Sequence, residues 1–133
     1  MYKGDVSKLP FEDNFFDTII AISTLEHVGL GSFGDPLYKE GDFEAVKELR
    51  RVLREDGRMF ITVPFANSHT ITWQRFYDQE RILKLAAGFL IEKEDFYSRH
   101  QSGWKDSDLE KSKQVKFDSN VNTIVCLKLR KGS

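Results

Sequence analysis

The sequence predicts an α/β domain on a mostly parallel sheet with an antiparallel final strand, and three stretches carry that prediction. DTIIAIS at residues 17–23 and RMFITVP at 58–64 are short, β-branched and nearly continuous in apolar residues, as strands covered on both faces are. Between them DFEAVKELRRVL places Phe43, Val46, Leu49, Val52 and Leu53 on one side at helical spacing. Strand, amphipathic helix, strand is a βαβ unit, so the two strands are expected to run parallel with a right-handed crossover. The last stretch, NTIVCLKLRK, follows no predicted helix, so it is expected to insert antiparallel beside its predecessor.

The elements between these anchors have their own signals. Asp42 is the expected N-cap of the first helix, and Gly57, in REDG, the expected residue just past its end. DQERILKLAAG reads as a helix that starts at Asp78 and stops at Gly88, and FLIEKEDFY as a strand with a more exposed outer half. HQSGWKDSDLEKSKQVKFDSN is polar and is expected to cross the surface, with a short helical turn near Leu109.

Length and charge bound the function. A chain of 133 residues has room for one ordinary core, so residues 1–133 are expected to form a single domain. Twenty Lys and Arg against 21 Asp and Glu leave a formal charge of -1, which argues against nucleic acid or an anionic membrane as partner. The opening residues lack the apolar core of a signal peptide, and no apolar run approaches the ~20 residues that span a bilayer, so a cytoplasmic location is expected. The one cysteine, Cys126 in TIVCL, reads as a buried structural thiol.

GLGSFGDP, from Gly29, contains G-x-G-x-x-G, the pattern of a dinucleotide-binding loop. That loop must open a helix, yet Gly34 is followed by Asp35 and Pro36, and a residue before proline is driven out of the α region. The acidic residue at the right distance, Asp56, sits in REDG rather than at the tip of a second strand. A glycine-containing loop is the preferred reading, and a nucleotide-binding protein the least favoured of three.

GDVSKLPFEDNFFDTIIAISTLEHV, LRRVLREDGRMFITVP and YDQERILKLAAGFLIEKEDF, taken in order, resemble class I S-adenosylmethionine-dependent methyltransferases of a type 11-like subgroup. The resemblance covers most of residues 4 to 97, with Val6 where alanine is common and Glu55-Asp56-Gly57 where proline and two glycines are usual. It implies a partial Rossmann-like sheet, equivalent to family strands 4-5-7-6, with helices on its faces. It also implies the C-terminal half of that domain, because the glycine-rich cofactor loop and the acidic residue of the second strand have no counterpart here.

The roles that follow come from this resemblance. Asp5 would accept from the adenine amino group, with Val6 beside the ring; as a residue read by itself, Asp5 is equally a turn former. Ser23 and Leu25 would face the methionine part of the cofactor, and Glu26 and His27 the acceptor, at the carboxyl end of a strand where open α/β sheets bind ligands. His27 is a candidate general base, and LEH can equally serve to fix the turn through hydrogen bonds. Trp73, Arg75 and Tyr77 are candidates for an acceptor pocket, Arg75 as a clamp for a carboxylate or phosphate. A metal held by Glu26 and His27 with His69 or His100 has no recognised spacing behind it.

The implied reaction is methyl transfer from S-adenosylmethionine to a small-molecule hydroxyl or carboxyl, on a sugar or cell-envelope precursor. The implied half-domain leaves residues 17–23 as an uncovered sheet edge, so a homodimer or higher oligomer through that edge is expected. The alternative is a non-catalytic oligomeric module derived from a methyltransferase.

Overall fold

The computed structural model describes residues 3–31, 39–67, 70–71 and 73–132. Five strands form one sheet in the order β1-β2-β7-β5-β6: β1 is Phe16–Ile22, β2 Leu53–Pro64, β5 Phe89–His100, β6 Gly103–Ser107 and β7 Thr123–Lys131. β1 and β2 are adjacent and parallel, with Ile19 opposite Met59 and Ala21 opposite Ile61. β7 runs antiparallel between β2 and β5, pairing Ile61 with Leu127 on one side and Phe96 with Val125 on the other. This is the order expected for the four family-equivalent strands, extended at the far edge by β6. That hairpin strand lies inside the polar stretch read as a surface excursion, and the expected helical turn follows it as α3, Leu109–Lys113.

α1, Gly41–Val52, and α2, Gln79–Leu85, pack on one face of the sheet. Ala45, Val46 and Leu49 of α1 and Ile82 and Leu85 of α2 meet Ala21, Met59, Ile61, Val63, Val125, Leu127 and Leu129 in one core. At about 25 cal/mol per Å² of apolar surface removed from water, this layer is the main source of stability. α2 begins as expected, with Asp78 Oδ1 accepting from Arg81 N at 2.8 Å.

The segment before β1 is fastened to α1 by charge. Glu48 accepts from Leu9 N at 3.0 Å, while Arg51 donates to Leu9 O at 3.1 Å and pairs with Asp13 at 2.7 Å. Phe11, Phe15 and Phe16 cluster beside it with ring centroids 4.9–5.4 Å apart, Phe16 edge-on to the other two.

Three expectations are corrected. Asp42 does not cap α1: the cap position is Glu40, and Asp42 lies fully buried in the first turn, where guanidinium groups claim its carboxylate. Gly57 does not close the helix either. α1 ends at Val52, because Leu53 is drawn into the core as the first residue of β2, and REDG bulges from that strand as the register jumps from Phe16–Leu53 to Thr18–Arg58. Gly57 is required there for a different reason, since a methyl group would come within 2.8 Å of Arg54 O and 2.7 Å of Leu53 Cδ1. Finally, β1 is not buried on both faces: Ala21 is in the core, but Ile20 and Ile22 are 65% and 63% exposed.

Candidate functional site

Where β1 ends, the chain opens a cleft of about 430 Å³ lined by Gly4, Asp5, Val6, Ser23, Thr24, His27 and Val28. Two segments far apart in sequence meet here: Leu9 is held on α1 by Glu48 and Arg51, and just upstream of it residues 4–6 line the opening at the carboxyl end of β1. Ser23 leaves the strand in the left-handed region, φ 49°, with its N–H donating to Thr62 Oγ1 at 3.0 Å. An L residue there costs roughly 1–2 kcal/mol, and such strain gathers at ligand sites. Ser23 and Thr24 both line the cleft.

Asp5 shows how the turn and the site share one residue. Its Oδ1 accepts from the Ser7 hydroxyl at 2.7 Å and from Ser7 N at 2.9 Å, an Asx turn that holds the carboxyl below its ordinary range, the hydroxyl bond first among the causes. The same side chain lines the cleft.

The next turn, a single 3-10 turn at Leu25–His27, is set by what it buries. Leu25, expected beside the cofactor, is fully enclosed in the core and contributes no surface to the cleft. Glu26 is only 3% exposed; burial pushes its carboxyl up, and Oε2 has no hydrogen-bond partner. Its other oxygen lies 3.9 Å from His27 Nε2. His27 Nδ1 is 2.7 Å from the carbonyl oxygen of Trp73, and the two rings stack at 5.9 Å and 13°. A carbonyl only accepts, so Nδ1 carries a hydrogen, and in the neutral form of the ring the lone pair is then at Nε2. This places a proton acceptor at the cleft, next to a buried carboxyl.

The three residues expected to line an acceptor pocket separate. Trp73 is 51% exposed beside His27. Arg75 is 1% exposed and faces inward: it donates to the carbonyls of Leu25 (3.4 Å), Val28 and Lys39 (3.3 Å), and its Nε lies 3.6 Å from Asp42 Oδ1. Tyr77 is fully buried, and its hydroxyl donates to Asp42 Oδ2 at 2.8 Å. Arg75 and Tyr77 are therefore interior groups, because buried Asp42 and the turn carbonyls need donors more than a surface pocket does. Burial with the Asp42 bond also pushes the Tyr77 phenol far up, which keeps it neutral. Of the anchors of this arrangement, Thr62 carried no local signal beyond the buried run around it, and Asp42 carried only the one that reads as a helix cap.

Gly29 and Gly31 adopt φ 76° and 78°, so the start of GLGSFGDP turns as glycine allows. Gly34, Asp35 and Pro36 lie outside the described residues, as does His69. Among the described residues no group of three or more His, Cys, Asp or Glu comes together as a metal site.

The fold is that of class I methyltransferases. A SAM-dependent methyltransferase from Methanosarcina mazei superposes on 97% of this chain with a TM-score of 0.68 at 14% identity, the chain covering 65% of that structure. The 1,6-didemethyltoxoflavin-N1-methyltransferase of Burkholderia thailandensis, solved with 1,6-didemethyltoxoflavin and S-adenosylhomocysteine, superposes on 96% with a TM-score of 0.60 at 16% identity, the chain covering 48% of it. An Encephalitozoon cuniculi protein provisionally named a methyltransferase is 32% identical over 63 residues, 47% of this chain and 26% of that protein. The chain spans about a quarter of the length of the curated relatives it matches. No helix among the described residues is long and apolar enough to cross a membrane. Over residues 7–130 the chain matches the model of the family described as "Caenorhabditis protein of unknown function, DUF268", and it belongs to that family.

Proposed function

We propose that this chain contributes the acceptor side and part of the adenine side of an S-adenosylmethionine-dependent methyltransferase acting on a small-molecule hydroxyl or carboxyl, of the sugar or cell-envelope kind. The observation that carries the reading is the cleft itself: Asp5, Val6, Ser23 and His27 line one opening at the carboxyl end of parallel β1. The fit to the cofactor is partial and specific. Asp5 offers a carboxylate for an exocyclic amine, Val6 an apolar flank, and strained Ser23 its backbone; the rest of the clamp is assigned to polypeptide outside these residues.

Bound there, the cofactor supplies an activated methyl group. The chain's own work is to hold the acceptor against it and, where the acceptor is a hydroxyl, to take its proton, for which His27 Nε2 is available once Trp73 O has claimed Nδ1–H. The exposed face of Trp73 offers the acceptor a flat apolar support.

Calorimetry with S-adenosylmethionine, S-adenosylhomocysteine and NAD tests this. Heat with S-adenosylhomocysteine that Asp5→Ala abolishes is expected; heat with NAD alone overturns the reading. In an assembled active enzyme, His27→Gln is expected to lower kcat by about 10²–10⁴-fold.

A second reading, an oligomeric module that does not bind cofactor, is favoured by one observation: the outer edge of β1 pairs with no described strand, and Ile20 and Ile22 stand exposed on the sheet face beside it. Silence with every ligand together with a stable dimer in sedimentation would select it. The two readings share the expectation that a second copy of this chain covers that edge in a cytoplasmic homo-oligomer.

A further inference from the structure

We propose that Arg75 is the positioning residue for His27: it holds the Leu25–His27 turn against the strand that supplies the histidine's tautomer-setting carbonyl. This rests on His27 being the base of the reading above, and it concerns the geometry of that base, which exists without cofactor or acceptor.

The turn closes short bonds of its own, His27 N to Thr24 O at 3.1 Å and Val28 N to Leu25 O at 3.3 Å, but it is buried, with Leu25 and Glu26 at 0% and 3% exposure, so Val28 O and the second lone pair of Leu25 O need a donor from outside it. Arg75 meets that need from β4, Gln74–Arg75, which pairs with β3, Thr70–Ile71. Its Nη1 donates to Leu25 O and Val28 O, the carbonyls just before and just after Glu26-His27, and its Nη2 reaches Lys39 O at the approach to α1. On the other side the turn rests on Gly41, where a methyl group would lie 3.0 Å from both Gly29 Cα and Val28 O. The turn is thus clamped between a guanidinium and a helix start.

Two residues before Arg75 the chain presents Trp73 O to His27 Nδ1 at 2.7 Å. The guanidinium and this carbonyl belong to one short segment, so the bond that leaves Nε2 unprotonated exists only while the turn and the segment keep their spacing. A displacement of about 1 Å would break it. The chemistry asks for arginine specifically, because a planar fork can serve several carbonyls at once and an ammonium, a point charge, cannot hold them in fixed relation.

The charge of Arg75 toward Asp42 is a separate matter, and the two roles can be split. Asp42 also accepts from Tyr77 Oη at 2.8 Å and from Arg81 Nη2 at 2.9 and 3.1 Å, so Arg75→Met leaves the buried carboxylate with donors. Arg75→Lys keeps a cation beside Asp42 and removes the fork.

The test is imidazole ¹⁵N NMR of the 133-residue chain, with His27→Gln to assign its signals among the three histidines. In the parent chain His27 is expected to be the Nδ1–H tautomer. In Arg75→Met and Arg75→Lys, with amide dispersion retained, the signals should move to the Nε2–H-dominated mixture of a free side chain. An unchanged tautomer in either folded variant, or full restoration by lysine, overturns the proposal. Should the methionine variant fail to fold, the lysine variant alone decides. Because no cofactor enters the measurement, a failure of methyl transfer would leave this result standing, and a failure here would leave S-adenosylhomocysteine binding untouched.

Discussion

The two faces of the central sheet are made by the same strands and behave as different materials. β7 alternates strictly: Val125, Leu127 and Leu129 are at most 2% exposed under α1 and α2, while Ile124, Cys126, Lys128 and Arg130 between them face the other way and are only half covered. In register with that second set stand Ile20 opposite Phe60 and Ile22 opposite Thr62, with Phe60 38% exposed. One face is a packed core. The other carries apolar side chains over β1 and β2 and charges toward β7 and β5, with neither helix over it. An apolar run in a strand therefore records what the strand is built to bury, not what the described residues bury.

That contrast can be broken by substitution. Leu129→Ala, on the covered face, is expected to cost about 2–5 kcal/mol in urea unfolding, against about 0.5 kcal/mol or less for Ile22→Ala. Equal losses would mean that both faces are packed in solution, by a second copy or otherwise.

Charge should sharpen the same divide. Glu26, enclosed on the covered side, has its carboxyl raised above 4.5 by burial, so the stability tied to its protonated form is present below that pH and is lost as pH rises through the folded value. Glu26→Gln is accordingly expected to raise the melting temperature at neutral pH, with the gain vanishing near pH 4. A destabilised variant at neutral pH would refute the burial argument. On the open side, Ile20→Lys should change monomer stability by no more than about 0.5 kcal/mol, yet it should dissociate any oligomer formed through β1. Sedimentation of that variant at the parent's mass would remove β1 from the interface.

Much of this fold was legible because its signals are local. The spacing of Val46, Leu49 and Val52 marked the helix and its buried side, Asp78 marked a helix start three residues before the amide it binds, and the lack of a predicted crossover helix before NTIVCLKLRK marked an antiparallel strand. The cleft was half legible. Asp5, Val6, Ser23 and His27 are brought together, whereas Leu25, Arg75 and Tyr77 turn inward. Burial of a polar side chain depends on partners distant in sequence: Arg75 meets carbonyls 36–50 residues away, and Tyr77 meets Asp42 35 residues away. Nothing beside Arg75 announces them. β6 escaped notice for a related reason, since GWKDS is polar and becomes a strand only through its pairing with β5.

The sequence by itself determined the βαβ unit, the second helix and the antiparallel closing strand, because apolar periodicity and capping act within a few residues. Tertiary structure alone decided that Leu53 would leave the helix for the sheet, that Asp42 would serve buried guanidinium groups instead of a helix end, and that His27 Nδ1 would meet the carbonyl of Trp73. Each of those outcomes is a competition for hydrogen-bond partners or core volume among groups that meet only after the chain has folded.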